Sequence, residues 1–240
     1  MAEQISFKER VRLAAIHNAS LYDSYYVQKS YLLISDAFKI RPYYIVEAEP
    51  DNYLHLVGVS TALSANDFYR KCLDGTLQDA DFDIAFHGRD EKASKGSIRQ
   101  KIVTLPYMFS LFSGSNEIEE SFKKNVVRCS IASSNNLCTL GLIATPHARP
   151  MTLLRGNELD SSKSGRIKII LSKKRSDDTF ADIRTGSISE LAVHYDSIKD
   201  LLQKDLIDRV TAYLSPDKDS SSQNGVITFD RQTHNTSETD

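Results

Sequence analysis

The sequence predicts an α+β fold, and two observations carry the prediction. Apolar residues recur at helical spacing toward both ends of the chain. The strand-like runs gather in groups, at 31–49 and 125–186, and do not alternate one for one with helices. With 40% hydrophobic and 26% charged residues there is enough apolar material for a real core. The 240 residues read as one domain over 1–214 and a disordered polar tail over 215–240.

The elements follow in order. Ser6-Phe-Lys-Glu9 has the form of a capping box, and Val11, Ala14, Ala15, Ala19, Tyr22, Tyr25 and Tyr26 continue it at helical spacing, so a helix is expected over 5–29. "YLLISDAF" at 31–38 and "YYIVEAE" at 43–49 read as strands joined at Arg41-Pro42. After "NYLHLVGV" at 52–59, Ser64 and Asp74-Gly75 bracket a short helix over 65–73. Ile98, Ile102, Leu105, Phe109 and Phe112 share a helical face that Pro106 divides. Strands follow at 125–132, 137–145 and 166–173, with a weaker one at 180–186 and a turn at Asn135-Asn136. From Ser189 an amphipathic helix carries Leu191, Tyr195, Ile198, Leu202 and Leu206 on one stripe, with Pro216 beyond its end. Residues 217–240 have little to bury, apart from a weak strand at "GVITFD".

Composition narrows the class. Cys72, Cys129 and Cys138 are widely spaced with no CxxC pair, which argues against a disulfide framework or zinc knuckle and for buried thiols in a reducing compartment. The N-terminus is charged where a signal peptide is apolar. No apolar run approaches the ~20 residues of a membrane span. An intracellular soluble protein with no membrane partner is the expectation. The formal net charge of −2 hides a partition. Residues 121–175 hold eleven Lys and Arg against two acidic residues, +9, whereas 176–240 carry −7 and 1–120 carry −4. A basic segment of this kind is the footprint of a polyanion partner, unless the acidic C-terminal helix neutralises it in space.

Three places can hold chemistry. His55 interrupts an apolar run; an imidazole there is either a core residue or an acid–base group. Lys173 ends the strand "RIKIILSKK" on the parity of Ile167, Ile169 and Leu171, where it either snorkels or reaches over the edge of a packed face. "TPHARPMTLLR" at 145–155 brings His147, Arg149, Thr152 and Arg155 together with two prolines, which reads as a strand exit and loop. Its arginine forks suit phosphate oxygens, or are solvated charges of an ordinary loop. His17, His87, His194 and His234 carry no such context. No P-loop, Rossmann, GxSxG, HExxH or EF-hand pattern occurs, and no carboxylate pair has two-metal spacing. What is left calls for no metal and no cofactor. Histidine, cations and a hydroxyl are the groups needed to cleave a phosphodiester through its own 2′-hydroxyl.

"NYLHLVGV", "ANDFYRKCLDGTL" and "DF" at 81–82 resemble the N-terminal signature of a phage-associated branch of the BECR nucleases, the superfamily of barnase, EndoU, tRNase colicins and RelE-like toxins. "RQKIVTLP", "RPMTLLR" and "RIKIILSKK…TFADI" follow in the order of that branch, so the likeness spans 5–214. The resemblance implies an antiparallel sheet with N- and C-terminal helices packed on one face and RNA on the other. It implies an endoribonuclease or toxin carried by phages or mobile elements. His55 matches the motif histidine, the candidate acid or base, and Lys173 matches the strand-ending lysine, a phosphate-stabilising cation. Thr152 and Arg155 match more loosely as positioning groups. Phe180 stands where related sequences carry an aromatic, so a tyrosine hydroxyl is absent there.

Arg149, Arg128 and Lys168 add cations for substrate binding. Tyr53 and Tyr69, with Tyr43 and Tyr44, offer stacking for bases of single-stranded or looped RNA, although core packing explains tyrosines equally well. A protein inhibitor is a possible partner. The alternatives are a catalytically decayed nucleic-acid-binding module and a phage protein that binds and inhibits a host protein.

Overall fold

Serine caps start the helices where the sequence places them. The Ser6 hydroxyl accepts from the Glu9 backbone N–H at 3.0 Å and opens α1 (Phe7–Tyr22). The Ser64 hydroxyl does the same for Asp67 at 3.1 Å and opens α3 (Ala65–Leu73). The run "NYLHLV" forms α2 (Asn52–Val57), and α4 (Glu91–Thr104) leads into a 3-10 turn, Leu105–Ser110, whose first turn Pro106 fits because no N–H is needed there. The expected 5–29 helix ends early: a π-helical turn, Asp23–Val27, redirects the chain into the first strand. The computed structural model describes residues 5–84, 90–114 and 116–215. His87, His234, the polar tail from 216 and its "GVITFD" strand lie outside the described residues.

The strands are β1 (Lys29–Ser35), β2 (Tyr44–Glu47), β3 (Glu117–Glu120), β4 (Lys123–Lys124), β5 (Val127–Arg128), β6 (Ile131–Ser134), β7 (Cys138–Ala144), β8 (Ala148–Arg155), β9 (Gly165–Lys174) and β10 (Asp182–Thr185). Eight of them form one sheet in the order β1-β2-β8-β7-β6-β3-β9-β10, and β1 pairs again with β9, so the sheet closes on itself. β4 and β5 form a separate small hairpin. Every pairing in the sheet is antiparallel except β2–β8, which is parallel through Val46 opposite Ala148. The α+β class stands.

Two strands of the main sheet were hidden in the sequence, and the strand expected at 125–132 is divided between β5 and β6. β3 reads "EIEE", and its glutamates look like a solvated turn. Glu119 and Glu120 are nonetheless buried, because each accepts backbone N–H groups: Asp160 on Glu119, Lys39 and Ile40 on Glu120. The stretch at 145–155 was expected to leave the sheet because of its prolines. It forms β8 instead, since an extra residue at Met151 shifts the register and seats Pro150 opposite Leu142.

The two faces carry different helices. Tyr31, Leu33, Val46, Leu140, Ile167 and Ile170 face an inner core shared with α1 to α4. Leu32, Ile34, Ile169 and Leu171 face an outer core under the C-terminal helices. The expectation that both sets of helices pack on one face is corrected: the sheet lies between them. The shared parity of Ile167, Ile169 and Leu171 is corrected with it. Ile34 pairs with Ile169 but Ser35 with Ile167, so Lys168 is bulged and the pleat changes phase between them.

The single C-terminal helix expected from Ser189 is three: α5 (Ile188–Val193), α6 (Tyr195–Ile198) and α7 (Lys204–Leu214). Its stripe is real, with Leu191, Ile198, Leu202 and Leu206 all buried. The break before α7 has a cause: Phe180 pairs with Leu202, its N–H donating to Leu201 O at 2.8 Å and its C=O accepting from Gln203 N–H at 2.9 Å, which pulls the chain out of the helix. Among the described residues no helix is long and apolar enough to cross a membrane.

Glu120 ties the β1–β2 turn to the sheet, accepting from Lys39 N–H (2.6 Å), Ile40 N–H (2.9 Å) and the Tyr44 hydroxyl (2.6 Å). Glu120→Ala leaves these donors without their charged acceptor. A loss of about 3 kcal/mol is expected in urea denaturation, whereas Glu120→Gln keeps one acceptor and loses less.

Candidate functional site

Strand pairing assembles a polar row on the outer face. Ser30 of β1 lies opposite both Glu47 of β2 and Lys173 of β9, so the three side chains share a face. The parallel step from Val46 to Ala148 then puts His147 and Arg149 beside Glu47. Arg175 follows β9 and is held by its N–H to Gln28 O at 2.9 Å.

Glu47 is the centre of this row. Its carboxylate accepts from the Ser30 hydroxyl at 2.9 Å, meets His147 Nδ1 at 2.5 Å and lies 3.5 Å from Arg175 Nη2. Next to it, Glu49 Oε1 takes Arg175 Nη2 at 2.6 Å and Arg149 Nη2 at 3.6 Å. The Glu47 side chain is 13% exposed and that of His147 43%, so a shielded carboxylate backs an accessible imidazole. Burial pushes the Glu47 carboxyl up, but the Ser30 hydroxyl, His147 and Arg175 together outweigh it and hold it below its ordinary value. An ionised Glu47 makes Nδ1 the donor nitrogen of His147 and leaves Nε2 as its reactive atom. An imidazole oriented by a carboxylate and flanked by cations can move a proton at a phosphodiester and neutralise the charge that develops there.

The residues singled out in the sequence are divided by the structure. Lys173 and Arg149 belong to the outer row. The Lys173 ammonium donates to Asp177 O (2.6 Å) and Asp178 O (3.2 Å) and lies 5.4 Å over the Phe180 ring. Thr152 is half-buried on β8 with its methyl against Gly141, which has no room for a Cβ there. Arg155 ends the same strand, exposed, opposite Cys138. Lys168 pairs with Asp36 at 2.5 Å, and Arg128 is exposed on the β4–β5 hairpin. Tyr53 and Tyr69 are corrected from substrate contacts to core residues: both are buried, their hydroxyls spent on Ala15 O (2.6 Å) and Asp23 Oδ1 (2.8 Å). All three cysteines are buried, and burial pushes the Cys72 thiol up to about 12.

His55 stands apart. It is exposed on α2, in the inner helical layer, so the sheet separates it from Lys173. It lines a cleft of about 400 Å³ with Ser60, Thr61, Ser97 and Lys101. The Lys101 ammonium donates to the His55 carbonyl, and its stem crosses Gly58, where a Cβ would lie 2.5 Å from Lys101 Cδ. Gly58 also needs its freedom at φ +77° to end α2. Burial pushes the Lys101 amine down to about 8.

Sequence reasoning missed Glu47, Glu49 and Arg175. Their signal was the acidic parity of "YIVEAE", with Ile45, Glu47 and Glu49 on alternate positions beside a basic strand end. Among the described residues no group of three or more His, Cys, Asp or Glu is placed to hold a metal ion.

A curled antiparallel sheet that presents an oriented imidazole among guanidinium and ammonium groups has the make-up of an acid–base nuclease scaffold. Residues 16–188 match the family described as phage-Barnase-EndoU-ColicinE5/D-RelE like nuclease4, and the chain belongs to that family. No curated protein and no solved structure matches the chain.

Two outcomes follow from the charges. Because Glu47 has a lowered folded pKa, its contribution to stability is complete above the unfolded value of ~4.3 and is lost as pH falls through the lower folded value. Denaturation curves from pH 6 down to pH 3 are therefore expected to be shallower in pH for Glu47→Gln than for wild type; equal slopes refute the assignment. Lys101 is expected to be the first lysine acylated at pH 8, since about half of its amine is neutral at its pKa of about 8. Peptide mapping after brief treatment with an N-hydroxysuccinimide ester checks this.

Proposed function

We propose that the protein is a metal-independent endoribonuclease, a phage- or mobile-element-encoded effector acting on RNA in the host cytoplasm, with its reaction centre at Glu47 and His147. The observation that carries this is the 2.5 Å contact between His147 Nδ1 and Glu47 Oε2 beside Arg175 and Arg149. In the proposed reaction His147 Nε2 takes the proton of a ribose 2′-hydroxyl. The 2′-oxygen attacks the adjacent phosphorus, and the O–P bond to the 5′-oxygen breaks. The imidazolium, stabilised by Glu47, returns the proton to that leaving oxygen. Arg149, Arg175 and Lys173 neutralise the crowded phosphorane. The products are a 2′,3′-cyclic phosphate and a free 5′-hydroxyl. Acid, base and countercharge are all side chains, so the scheme needs no divalent ion.

A second reading puts the reaction at His55, favoured by the desolvated Lys101 amine beside it. One experiment separates the two. Wild type is expected to cleave RNA in EDTA and leave 2′,3′-cyclic ends. His147→Ala and Arg175→Ala are expected to lose about 10²-fold or more in kcat/KM, and His55→Ala to stay within about threefold. The reverse ranking moves the centre to the His55 cleft. Cleavage only with added divalent ions sinks the mechanism, and salt-sensitive binding without cleavage leaves a binding module.

A further inference from the structure

A second concavity adjoins the reaction centre and shares a residue with it. The cleft between the β1–β2 turn and the β7–β8 turn has a volume of about 300 Å³, and its walls include Arg41, Pro42, Tyr43, Pro146 and His147. His147 thus faces two ways: it lines this cleft, and its Nδ1 meets Glu47.

The walls are stiff and flat. The two prolines have fixed φ. Arg41 Nη1 donates to Pro146 O at 3.3 Å and bridges the two turns. The Arg41 guanidinium lies 5.4 Å over the Tyr44 ring, which is itself fixed by its hydroxyl bond to Glu120 at 2.6 Å and by an edge contact with Phe38 at 4.9 Å. Arg41 is exposed, so its plane is available as a stacking surface. Tyr43 is half-buried against the outer core, two and four residues before Ile45 and Glu47 on the same side of the chain. Among the described residues no carboxylate lines the cleft. A guanidinium plane, a phenol, two proline rings and an imidazole offer π-stacking and apolar contact with little hydrogen-bond readout, which suits any base and selects weakly among them.

We propose that this cleft is a nucleobase slot: it holds the base of the nucleotide whose phosphate lies over His147 and Arg149. The slot rests on the nuclease reading for its place beside a scissile phosphate. Its own evidence is the cleft and its stacking walls. Ordering the base there positions the 2′-hydroxyl beside Nε2, so Tyr43 and Arg41 are positioning residues.

Calorimetric titration tests the slot apart from the chemistry. The probes are adenosine 3′-monophosphate, uridine 3′-monophosphate and ribose 5-phosphate, on wild type, Tyr43→Ala and the exposed-site variant Arg41→Ala, with thermal melts to confirm folding. Wild type is expected to bind both nucleotides about tenfold tighter than ribose 5-phosphate. In both variants that preference is expected to fall to within about twofold. Equal affinity for nucleotide and sugar phosphate in wild type, no binding of any probe, or an undiminished preference in both variants overturns the slot. RNA hydrolysis with equal affinity for nucleotide and ribose 5-phosphate keeps the nuclease reading and discards the slot. Base preference with no hydrolysis keeps the slot and discards the nuclease reading.

Discussion

The structure depends on β9 pairing on both edges with its phase changed once. One edge holds β1 along almost its full length; the other holds β3 first and then β10. A strand flanked on both sides is fixed in position, so the sheet has to curl to bring β1 and β3 to it. The bulge at Lys168 then decides what each face receives. It assigns Ile167 and Ile170 to the inner core and Ile169 and Leu171 to the outer one. With an unbroken alternation, Ile167 would share the outer face and the inner core would lose it. Gly186 belongs to the same device: a Cβ there would stand 2.9 Å from the Lys168 carbonyl, so the turn after β10 can approach the bulge only without a side chain.

The same phase sets the polar row. Lys173 is outward because Ile169 and Leu171 are, and Ser30 is outward because it pairs with Lys173. Ser30 in turn fixes Glu47, and the one parallel pairing brings His147 and Arg149 alongside. The polar row around Glu47 and His147 is therefore a consequence of register across β9, β1, β2 and β8. No single motif encodes it.

That explains what was legible and what was not. Local signals came through: the Ser6 and Ser64 caps, the 65–73 helix, the divided helix at Pro106, and the buried stripe of Leu191, Ile198, Leu202 and Leu206. Features that arise from pairing did not. "EIEE" becomes a strand only because backbone N–H groups from distant turns satisfy its carboxylates. The C-terminal helix breaks where Phe180 claims Leu202. His55 drew notice for its apolar neighbours, yet those neighbours point into the inner core while the imidazole points out of it. His147, in a proline-flanked loop by sequence, gained its partner from β2. Lys173 and Arg149 were found because a basic strand end and a basic loop are themselves local; the carbonyls that hold Lys173 and the carboxylate of Glu49 on Arg149 were not.

The charge partition takes its meaning from those counter-ions. Among the described residues three carboxylates from outside the +9 segment pair with its cations, Glu47 and Glu49 on Arg175, Glu49 on Arg149 and Asp36 on Lys168, and none comes from the acidic C-terminal helices; the segment's own Glu158 and Asp160 hold Lys124 and Lys163. Among the described residues Lys123, Arg128, Arg155, Arg166, Lys173 and Lys174 have no carboxylate within ion-pair distance. Two kinds of cation result. The field of the unpaired ones reaches into solvent and is screened by salt. Arg149 and Arg175 share one oxygen of Glu49, which already holds them at the spacing of a single anionic group. Their guanidinium forks therefore sit side by side around one carboxylate oxygen. Two long side chains that share one acceptor have already lost much of their rotamer freedom in the folded chain, so the pairing of β2 with β8 fixes the geometry of these cations as well as their identity.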